Sequence, residues 1–161
     1  MSYSAAIRLS DARRSAVVRY FLPFLHSKGI ALQAIAMAVF EVSAHMTVRP
    51  GQLEGFKKQA AECIRITKEK DTHTLRYDWF LSRDGRQCEV REAYTGPEGL
   101  IEHNRNIGEA RTRLFEHYAD NHFMTVYGEP TPELTALVKA HHMEQQFLWF
   151  SFVKGLDSSR G

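Results

Sequence analysis

The alternation of hydrophobic and polar positions becomes regular only after residue 36. From Val39 to Val48 apolar side chains occupy every second position, which predicts a half-buried strand. Arg49-Pro50-Gly51 then predicts a turn. From Leu53 to Lys70 apolar residues recur three and four positions apart with charged residues between them, so this segment is predicted to be an amphipathic helix.

The clearest local signal is a hairpin in which two alternating segments, Thr74 to Ser82 and Gln87 to Tyr94, flank Asp84-Gly85. Asp-Gly favours a two-residue hairpin turn, which would place Arg83 opposite Arg86. A slip of one residue would move the apolar side chains of one strand to the polar face. The predicted pairs are Leu75 with Tyr94, Tyr77 with Glu92, Trp79 with Val90, Leu81 with Cys88, Asp78 with Arg91 and Phe80 with Glu89.

The remaining pattern predicts a long helix, a strand, a short helix and a last strand. Their predicted bounds are Pro97 to Ala119, His122 to Tyr127, a helix capped by Thr131, and Gln146 to Lys154. The order β-α-β-β-α-β, with an extra C-terminal helix and strand, indicates a ferredoxin-like α+β fold. Helices on one face leave the other face of the sheet uncovered, so we expect two chains to pair into a dimeric α+β barrel.

The first 36 residues are basic and only weakly amphipathic. They suggest a helix from Asp11 to about His26 that is kinked at Pro23, or else a disordered arm. They also fit a segment upstream of the natural start, since Met37 directly precedes the first strand. The predicted organisation is therefore an N-terminal extension over residues 1–36, one domain over 37–157 and a short tail over 158–161.

Composition and charge exclude several classes of protein. The 161 residues, 43% hydrophobic and 25% charged, are typical of one globular domain. The net charge is only +2 and the basic residues are interleaved with acids, which argues against a nucleic-acid partner. The longest apolar stretch, Ile30 to Val42, is interrupted by Gln33 and Glu41 and is too short to span a membrane. Cys63 and Cys88 form no CxxC motif, so we expect buried thiols in a cytoplasmic protein.

The main candidate for chemistry is Glu92, because the predicted register places it on the apolar face of the hairpin. A carboxylate there costs several kcal/mol unless it is hydrogen-bonded or paired. Tyr77 lies opposite and Tyr94 two positions along, and His103 on the next helix could cross the same face. Burial would raise the pKa of this carboxyl group, which suits it to proton transfer. The alternative is a buried Glu–Tyr pair that only stabilises the strand register.

Other candidates are weaker. His45 lies on the polar face of the first strand, toward the predicted barrel. His141 and His142 point about 100° apart on a helix and cannot chelate one metal ion together. The sequence contains no recognised metal-binding, nucleotide-binding or serine-hydrolase motif. Aromatic residues such as Trp79 are more often part of a core than of a cofactor cage.

Residues 37–157 resemble the antibiotic biosynthesis monooxygenase-like family, which includes quinol monooxygenases, within the dimeric α+β barrel superfamily. The resemblance leaves out the first 36 residues, and its Glu-x-Tyr…His spacing is moderately specific for the family. It depends on Arg49-Pro50-Gly51, Phe56, the run from Thr74 to Phe80, Glu92-Ala93-Tyr94, His103 and Val126-Tyr127-Gly128.

The resemblance implies a homodimer with a pocket between sheet and helices in each subunit. Some members of the family oxidise a small phenolic or quinol-type aromatic substrate with O2 and need no metal or flavin cofactor. In that chemistry Glu92 or His103 would be the base, with Tyr77 taking part in catalysis. Substrate contacts would come from Tyr94, Trp79, His45 and Tyr127. A non-catalytic ligand-binding or stress-response module, an isomerase and a haem-degrading relative of the same fold remain as alternatives.

Overall fold

The computed structural model describes residues 39–156 as a five-stranded sheet with four α-helices. The predicted N-terminal extension and the tail lie outside the described residues. The elements are β1 (Phe40–Val48), α1 (Leu53–Lys70), β2 (Thr74–Leu81), β3 (Gln87–Tyr94), α2 (Pro97–Asn106), α3 (Gly108–His117), β4 (Ala119–Tyr127), α4 (Pro132–Ala140) and β5 (Phe147–Phe150). A short 3-10 turn, Glu144–Gln146, precedes β5.

The sheet has the strand order β2-β3-β1-β4-β5. The first four strands pair antiparallel, and β5 pairs parallel to β4. With two helical connections on one face, this arrangement confirms the predicted ferredoxin-like α+β fold with an added helix and strand. Among residues 39–156, no helix has both the length and the apolar character needed to cross a membrane.

The hairpin register is confirmed over most of its length, since Tyr77 pairs with Glu92, Trp79 with Val90 and Asp78 with Arg91. The prediction for Leu75 is wrong. A β-bulge between residues 74 and 76 removes this residue from the pairing, and Tyr94 pairs with Thr74 instead. Leu75 is therefore left largely exposed.

The hairpin turn also differs from its prediction. Gly85 N donates to Ser82 O, so the central residues of the turn are Arg83 and Asp84 rather than Asp84 and Gly85. Gly85 follows in the left-handed region with φ 69°, which glycine adopts without steric cost. The Arg83–Arg86 pair does not form, although the rest of the register is unchanged.

The predicted long helix is divided into α2 and α3 at Ile107. Ile107 has φ −89° and ψ 0°, outside the ideal helical values, and Gly108 follows it. Glycine weakens a helix by about 1 kcal/mol relative to alanine, which makes this the weakest point of the segment. The chain also leaves the helix two residues early, and β4 begins at Ala119 instead of His122.

The two faces of the sheet differ in character. The inner face packs against the helices, and its apolar side chains form the core together with Phe56, Leu100 and Leu114. Strand β1 supplies alternate core residues from Phe40 to Val48, as its pattern predicts. The outer face has no covering element among the described residues, and it exposes large apolar side chains, namely Phe80, Phe123, Tyr127, Leu148 and Phe150.

Candidate functional site

A small cavity of about 30 Å³ lies between the inner face of the sheet and the helices α1 to α3. This is two to three times the space that one ordered water requires. Four of the predicted site residues line it: Tyr77, Trp79, Glu92 and His103. The strand register brings the first three together, and α2 adds the histidine. We refer to it below as the inner cavity.

Glu92 lies on the inner face of β3 and is only 5% exposed. Its Oε2 accepts a hydrogen bond of 2.7 Å from the Tyr94 hydroxyl. Burial raises the pKa of Glu92 above its ordinary value, although His103, the Tyr94 hydrogen bond and the Arg111 charge oppose the shift. The protonated form is therefore favoured more strongly than in water, so this residue can act as an acid or as a hydrogen-bond donor.

His103 is 2% exposed and is oriented by a carboxylate that sequence reasoning missed. Its Nδ1 lies 2.7 Å from Oδ2 of Asp71, which follows the last residue of α1. A carboxylate can only accept at this distance, so Nδ1 is the donor in this hydrogen bond. Nε2 is buried and has no hydrogen-bond partner among residues 39–156. The ring lines the inner cavity, whereas Asp71 does not.

Asp71 is itself held firmly in place. Besides His103 it accepts hydrogen bonds from Asn106 at 2.9 Å and from the Thr74 hydroxyl at 2.7 Å. Burial alone would raise the pKa of Asp71, but the hydrogen bonds from His103, Asn106 and Thr74 outweigh it and hold the pKa below its ordinary value. The residue therefore stays a carboxylate and stabilises a positive charge on the imidazole.

Close packing fixes the distance between α2 and the sheet. A Cβ added at Gly99 would lie 2.9 Å from Cβ of Tyr94, a distance that real side chains essentially never show. Glycine at this position lets the helix approach β3 closely. His103 follows one turn later, where its ring packs in a T-shaped arrangement with that of Tyr77, with ring centroids 4.5 Å apart.

Both tyrosines of the site are neutral phenols. Burial, followed by the nearby Glu92 charge, raises the pKa of Tyr77 and of Tyr94 well above the ordinary value. Tyr94 uses its hydroxyl proton to bind Glu92 and lies just outside the lining of the inner cavity. Trp79 adds a further donor, because its buried Nε1 has no partner among the described residues.

Two cationic or basic side chains complete the lining, and sequence reasoning assigned neither to the site. Arg111 of α3 lines the cavity, and one of its Nη atoms donates to Oδ1 of Asn104. Burial lowers the pKa of His122 to about 4, with the Arg111 charge acting in the same direction. His122 is thus a neutral imidazole near pH 7.

Two predicted site residues lie elsewhere. His45 and Tyr127 are on the outer face of the sheet and do not line the inner cavity. His45 stacks on Phe123 with ring centroids 4.5 Å apart, and Tyr127 stacks on Phe150. The structure therefore brings Tyr77, Trp79, Glu92 and His103 together, with Tyr94 bonded to the group, and separates His45 and Tyr127 from them.

No group of three or more histidine, cysteine, aspartate or glutamate side chains within residues 39–156 is placed to hold a metal ion. Cys63 lines the inner cavity, and burial raises the pKa of its thiol to about 11, so the thiol is neutral near pH 7. The lining of this cavity presents imidazole, carboxyl, phenol and guanidinium groups.

Solved structures share this fold. MupZ from Pseudomonas fluorescens superposes with a TM-score of 0.61 at 22% identity, over 74% of this chain and 93% of that protein. A "putative antibiotic biosynthesis monooxygenase" from Nitrosomonas europaea has a TM-score of 0.51 at 18% identity, over 58% of this chain and 92% of its own. The chain has the antibiotic biosynthesis monooxygenase-like fold. Rv0793 from Mycobacterium tuberculosis also has this fold, with a TM-score of 0.50 at 22% identity over 58% of this chain and 97% of its own.

At these identities the shared property is the fold, since function depends on the groups in the site. No family model and no curated protein matches the chain. The monooxygenase-like fold accounts for the arrangement of the sheet and helices, and the chemistry of the inner cavity depends on the residues that line it.

Proposed function

We propose that the chain is a cofactor-independent monooxygenase that deprotonates a phenolic or quinol-type substrate whose hydroxyl group enters the inner cavity, and that the resulting anion reacts with O2. The observation that supports this most directly is the buried, unpartnered Nε2 of His103, with Nδ1 bonded to Asp71. A buried lone pair at a cavity, with no partner of its own, is suited to accept a substrate proton. The names of structures with this fold point in the same direction.

The acid–base roles follow from the hydrogen bonds. His103 removes the proton from a substrate hydroxyl, and the Asp71 carboxylate stabilises the imidazolium that forms. Glu92, with its raised pKa, donates a hydrogen bond to the substrate oxygen or returns a proton to the product. Tyr77 and Trp79 contribute a phenol and an indole N–H to the same cavity. Water is largely excluded, which strengthens each of these interactions.

The oxygen step balances without an added reductant. A phenolate donates electrons from its ring to O2, a C–O bond forms, and the O–O bond then breaks. One oxygen atom stays on the ring as a quinone carbonyl, and the other leaves as water with the two hydrogens lost by the phenol. The substrate is thus the four-electron reductant, and the protein supplies only the base, the acid and the enclosed site.

Oxygen uptake by the purified full chain, with a panel of quinols and polycyclic phenols, tests the proposal. We expect one O2 consumed per quinone formed, and we expect His103→Gln to lower kcat at least 1,000-fold, on the order expected for loss of a catalytic base. His117→Gln is a matched control on α3, since His117 is exposed. Full activity in His103→Gln would contradict the assignment of the base.

An isomerase is the second candidate, and the pairing of a base with a carboxyl of raised pKa at one cavity favours it. Such an enzyme removes a proton from one atom and returns it to another, with no consumption of O2. Substrate turned over in D2O under nitrogen distinguishes the two functions. Deuterium exchange in the absence of oxygen would favour the isomerase, and strict dependence on oxygen would favour the monooxygenase.

We also propose that two chains pair through their outer faces. This face exposes Phe80, Phe123 and Leu148 by roughly half of their surface each, which is unusual for a sheet face that contacts only water. Phe123→Asp should lower the dimer fraction in sedimentation equilibrium, while Lys58→Asp on the solvent side of α1 should leave it unchanged. A monomeric wild-type protein would contradict this proposal.

A further inference from the structure

The inner cavity is too small to hold a whole organic substrate, but a larger hollow adjoins it. This outer groove has a volume of about 700 Å³, within the usual range for small-molecule sites. It lies between α2, α3, α4 and β5. Its apolar lining consists of Ile101, Leu134, Leu137, Val138, Met143 and Phe147. A groove of this size and character suits the apolar body of a ligand.

The outer groove and the inner cavity meet at two side chains, Asn104 and Arg111, which line both. We call this pair the neck. The two residues are hydrogen-bonded to each other. The neck is therefore the part of the outer groove that borders the inner cavity.

Arg111 is a largely buried cation that forms no salt bridge within the part of the chain described here, although Glu92 lines the same cavity. No carboxylate among residues 39–156 lies within 4.0 Å of its guanidinium nitrogens, and its side-chain hydrogen bond is to the neutral Asn104. By contrast Arg113, two residues along the same helix, is exposed and lies 3.9 Å from Glu109. A buried guanidinium is costly unless an anion is supplied, and it keeps several donors free for one.

We propose that the outer groove and the neck bind an elongated amphiphile, with its apolar body in the groove and an anionic or ionisable oxygen at Arg111. The inference rests on the proposed function, because the oxygen held there is the one that His103 deprotonates. A phenol or quinol that carries an apolar side chain has this shape. The inner cavity then needs to accept only the substrate oxygen, the ring carbon that O2 attacks and an O2 molecule.

A second hollow competes for the role of the groove. It has a volume of about 520 Å³ and shares Arg111, Phe115 and His122 with the inner cavity. Its lining has three apolar residues, Phe115, Ala119 and Met143, where the outer groove has six, although the outer groove also carries Arg105, Glu133 and His141. An apolar body gains less there than in the outer groove, since hydrophobic stabilisation scales with the apolar area removed from water. The outer groove is therefore the better site for the ligand body.

The test uses 4-alkylbenzoates with ethyl, butyl, hexyl and octyl chains, in which the carboxylate stands in for the deprotonated oxygen. The matched 4-alkylbenzyl alcohols lack the charge. Isothermal titration calorimetry on the full chain should show affinity rising roughly fourfold per methylene until the groove is filled. Each benzoate should bind at least tenfold more tightly than the alcohol of the same length, on the order expected for a charge-assisted hydrogen bond.

Two pairs of variants locate the binding. Arg111→Gln should abolish the preference for benzoate over alcohol, while Arg113→Gln should keep it. Leu137→Arg places a charge in the outer groove and should lower the affinity for the octyl compound at least tenfold, while Thr112→Arg blocks the second hollow and should not. Leu137→Ala, a milder change, should reduce the gain per methylene without affecting folding, which thermal melting checks.

The outcomes separate this inference from the proposed function. Affinity that does not depend on chain length would overturn it, as would a benzoate preference that survives in Arg111→Gln; the groove would then be filled by another part of the chain or by a second copy. His103→Gln should bind the series normally while losing turnover. Chain-length dependence without turnover of any phenol would overturn the proposed function alone, and turnover without chain-length dependence would overturn the groove alone.

Discussion

Two glutamate–histidine pairs lie on opposite faces of the same sheet. They differ in solvent exposure, in hydrogen bonding and in the direction in which the glutamate pKa is shifted. Glu92 and His103 lie on the inner side and are nearly inaccessible to water. Glu89, three residues earlier on β3, lies on the outer side with His45, and 41% of its side chain is exposed. The outer carboxylate accepts a hydrogen bond of 2.8 Å from Ser43.

The pKa values of the two glutamates shift in opposite directions. Burial raises the pKa of Glu92, whereas the Ser43 hydrogen bond, against a smaller effect of burial, lowers the pKa of Glu89. Identical residue types on one strand thus acquire different protonation behaviour because only one of them has lost its water. The inner pair is set up for proton transfer, and the outer pair is an ordinary polar cluster.

The largest expected effect comes from removing the charge that orients the inner histidine. Asp71→Asn keeps the shape of the side chain but loses the carboxylate that holds the Nδ1 proton, so kcat should fall on the order of 100- to 10,000-fold. The same change on the outer face, Glu89→Gln, should leave kcat within about twofold. Steady-state oxygen uptake measures both, and equal effects of the two substitutions would remove the contrast between the faces.

A third histidine, His122, should make the stability of the protein depend on pH in the acid range. The pKa of His122 is lowered to about 4 from 6.5, so the unfolded chain binds a proton at higher pH than the folded one. Stability from this group is therefore lost as the pH falls from 6.5 toward 4, by about 3 kcal/mol. Between pH 7 and pH 4, the free energy of unfolding measured in urea should therefore fall by about 3 kcal/mol less in His122→Gln than in the wild type.

A smaller effect is expected for Glu92→Gln, and it should be stabilising at pH 8. Because the folded pKa is raised, wild-type stability is complete below the ordinary glutamate pKa and falls as the pH rises through the folded value. Glutamine does not ionise, so the stability of the variant does not fall as the pH rises, and its amide oxygen still accepts the Tyr94 hydrogen bond. It should therefore unfold at higher urea concentration than wild type at pH 8, with the difference absent at pH 4.

Glu89→Gln should show the smallest effect and the opposite sign. A lowered pKa means that its stabilisation is present above the ordinary glutamate pKa and is lost as the pH falls through the folded value. Since the side chain is substantially exposed, solvent screening keeps the contribution below about 1 kcal/mol. Urea unfolding at pH 7 and pH 3 measures it, and a stabilising substitution would contradict the comparison.

The hairpin was predictable because its register depends on alternation within two neighbouring strands. That register alone placed Tyr77 opposite Glu92 on the apolar face, as the structure confirms. The bulge beside Leu75 was not predictable, since it leaves no local mark in the residue pattern. The break at Ile107 had a partial signal in Gly108, which the uninterrupted apolar stripe outweighed.

Asp71 shows what sequence reasoning missed in the site. Its contact with His103 joins residues 32 positions apart and depends on how α1 and α2 pack, which periodicity cannot specify. One signal was present, because an acidic residue at the C-terminal end of a helix is unfavourable for the helix dipole. A carboxylate there needs another reason to be present, and the histidine supplies it.

The account depends most on the protonation state of His103, which ¹⁵N NMR of the histidine side chains measures directly at pH 7. With Asp71 accepting from Nδ1, the ring should be the Nδ1–H tautomer with an unprotonated Nε2, and Asp71→Asn should shift this signal while leaving that of His45 unchanged. An Nε2–H tautomer in the wild-type protein would contradict the account, because the nitrogen facing the inner cavity would then be unable to accept a proton.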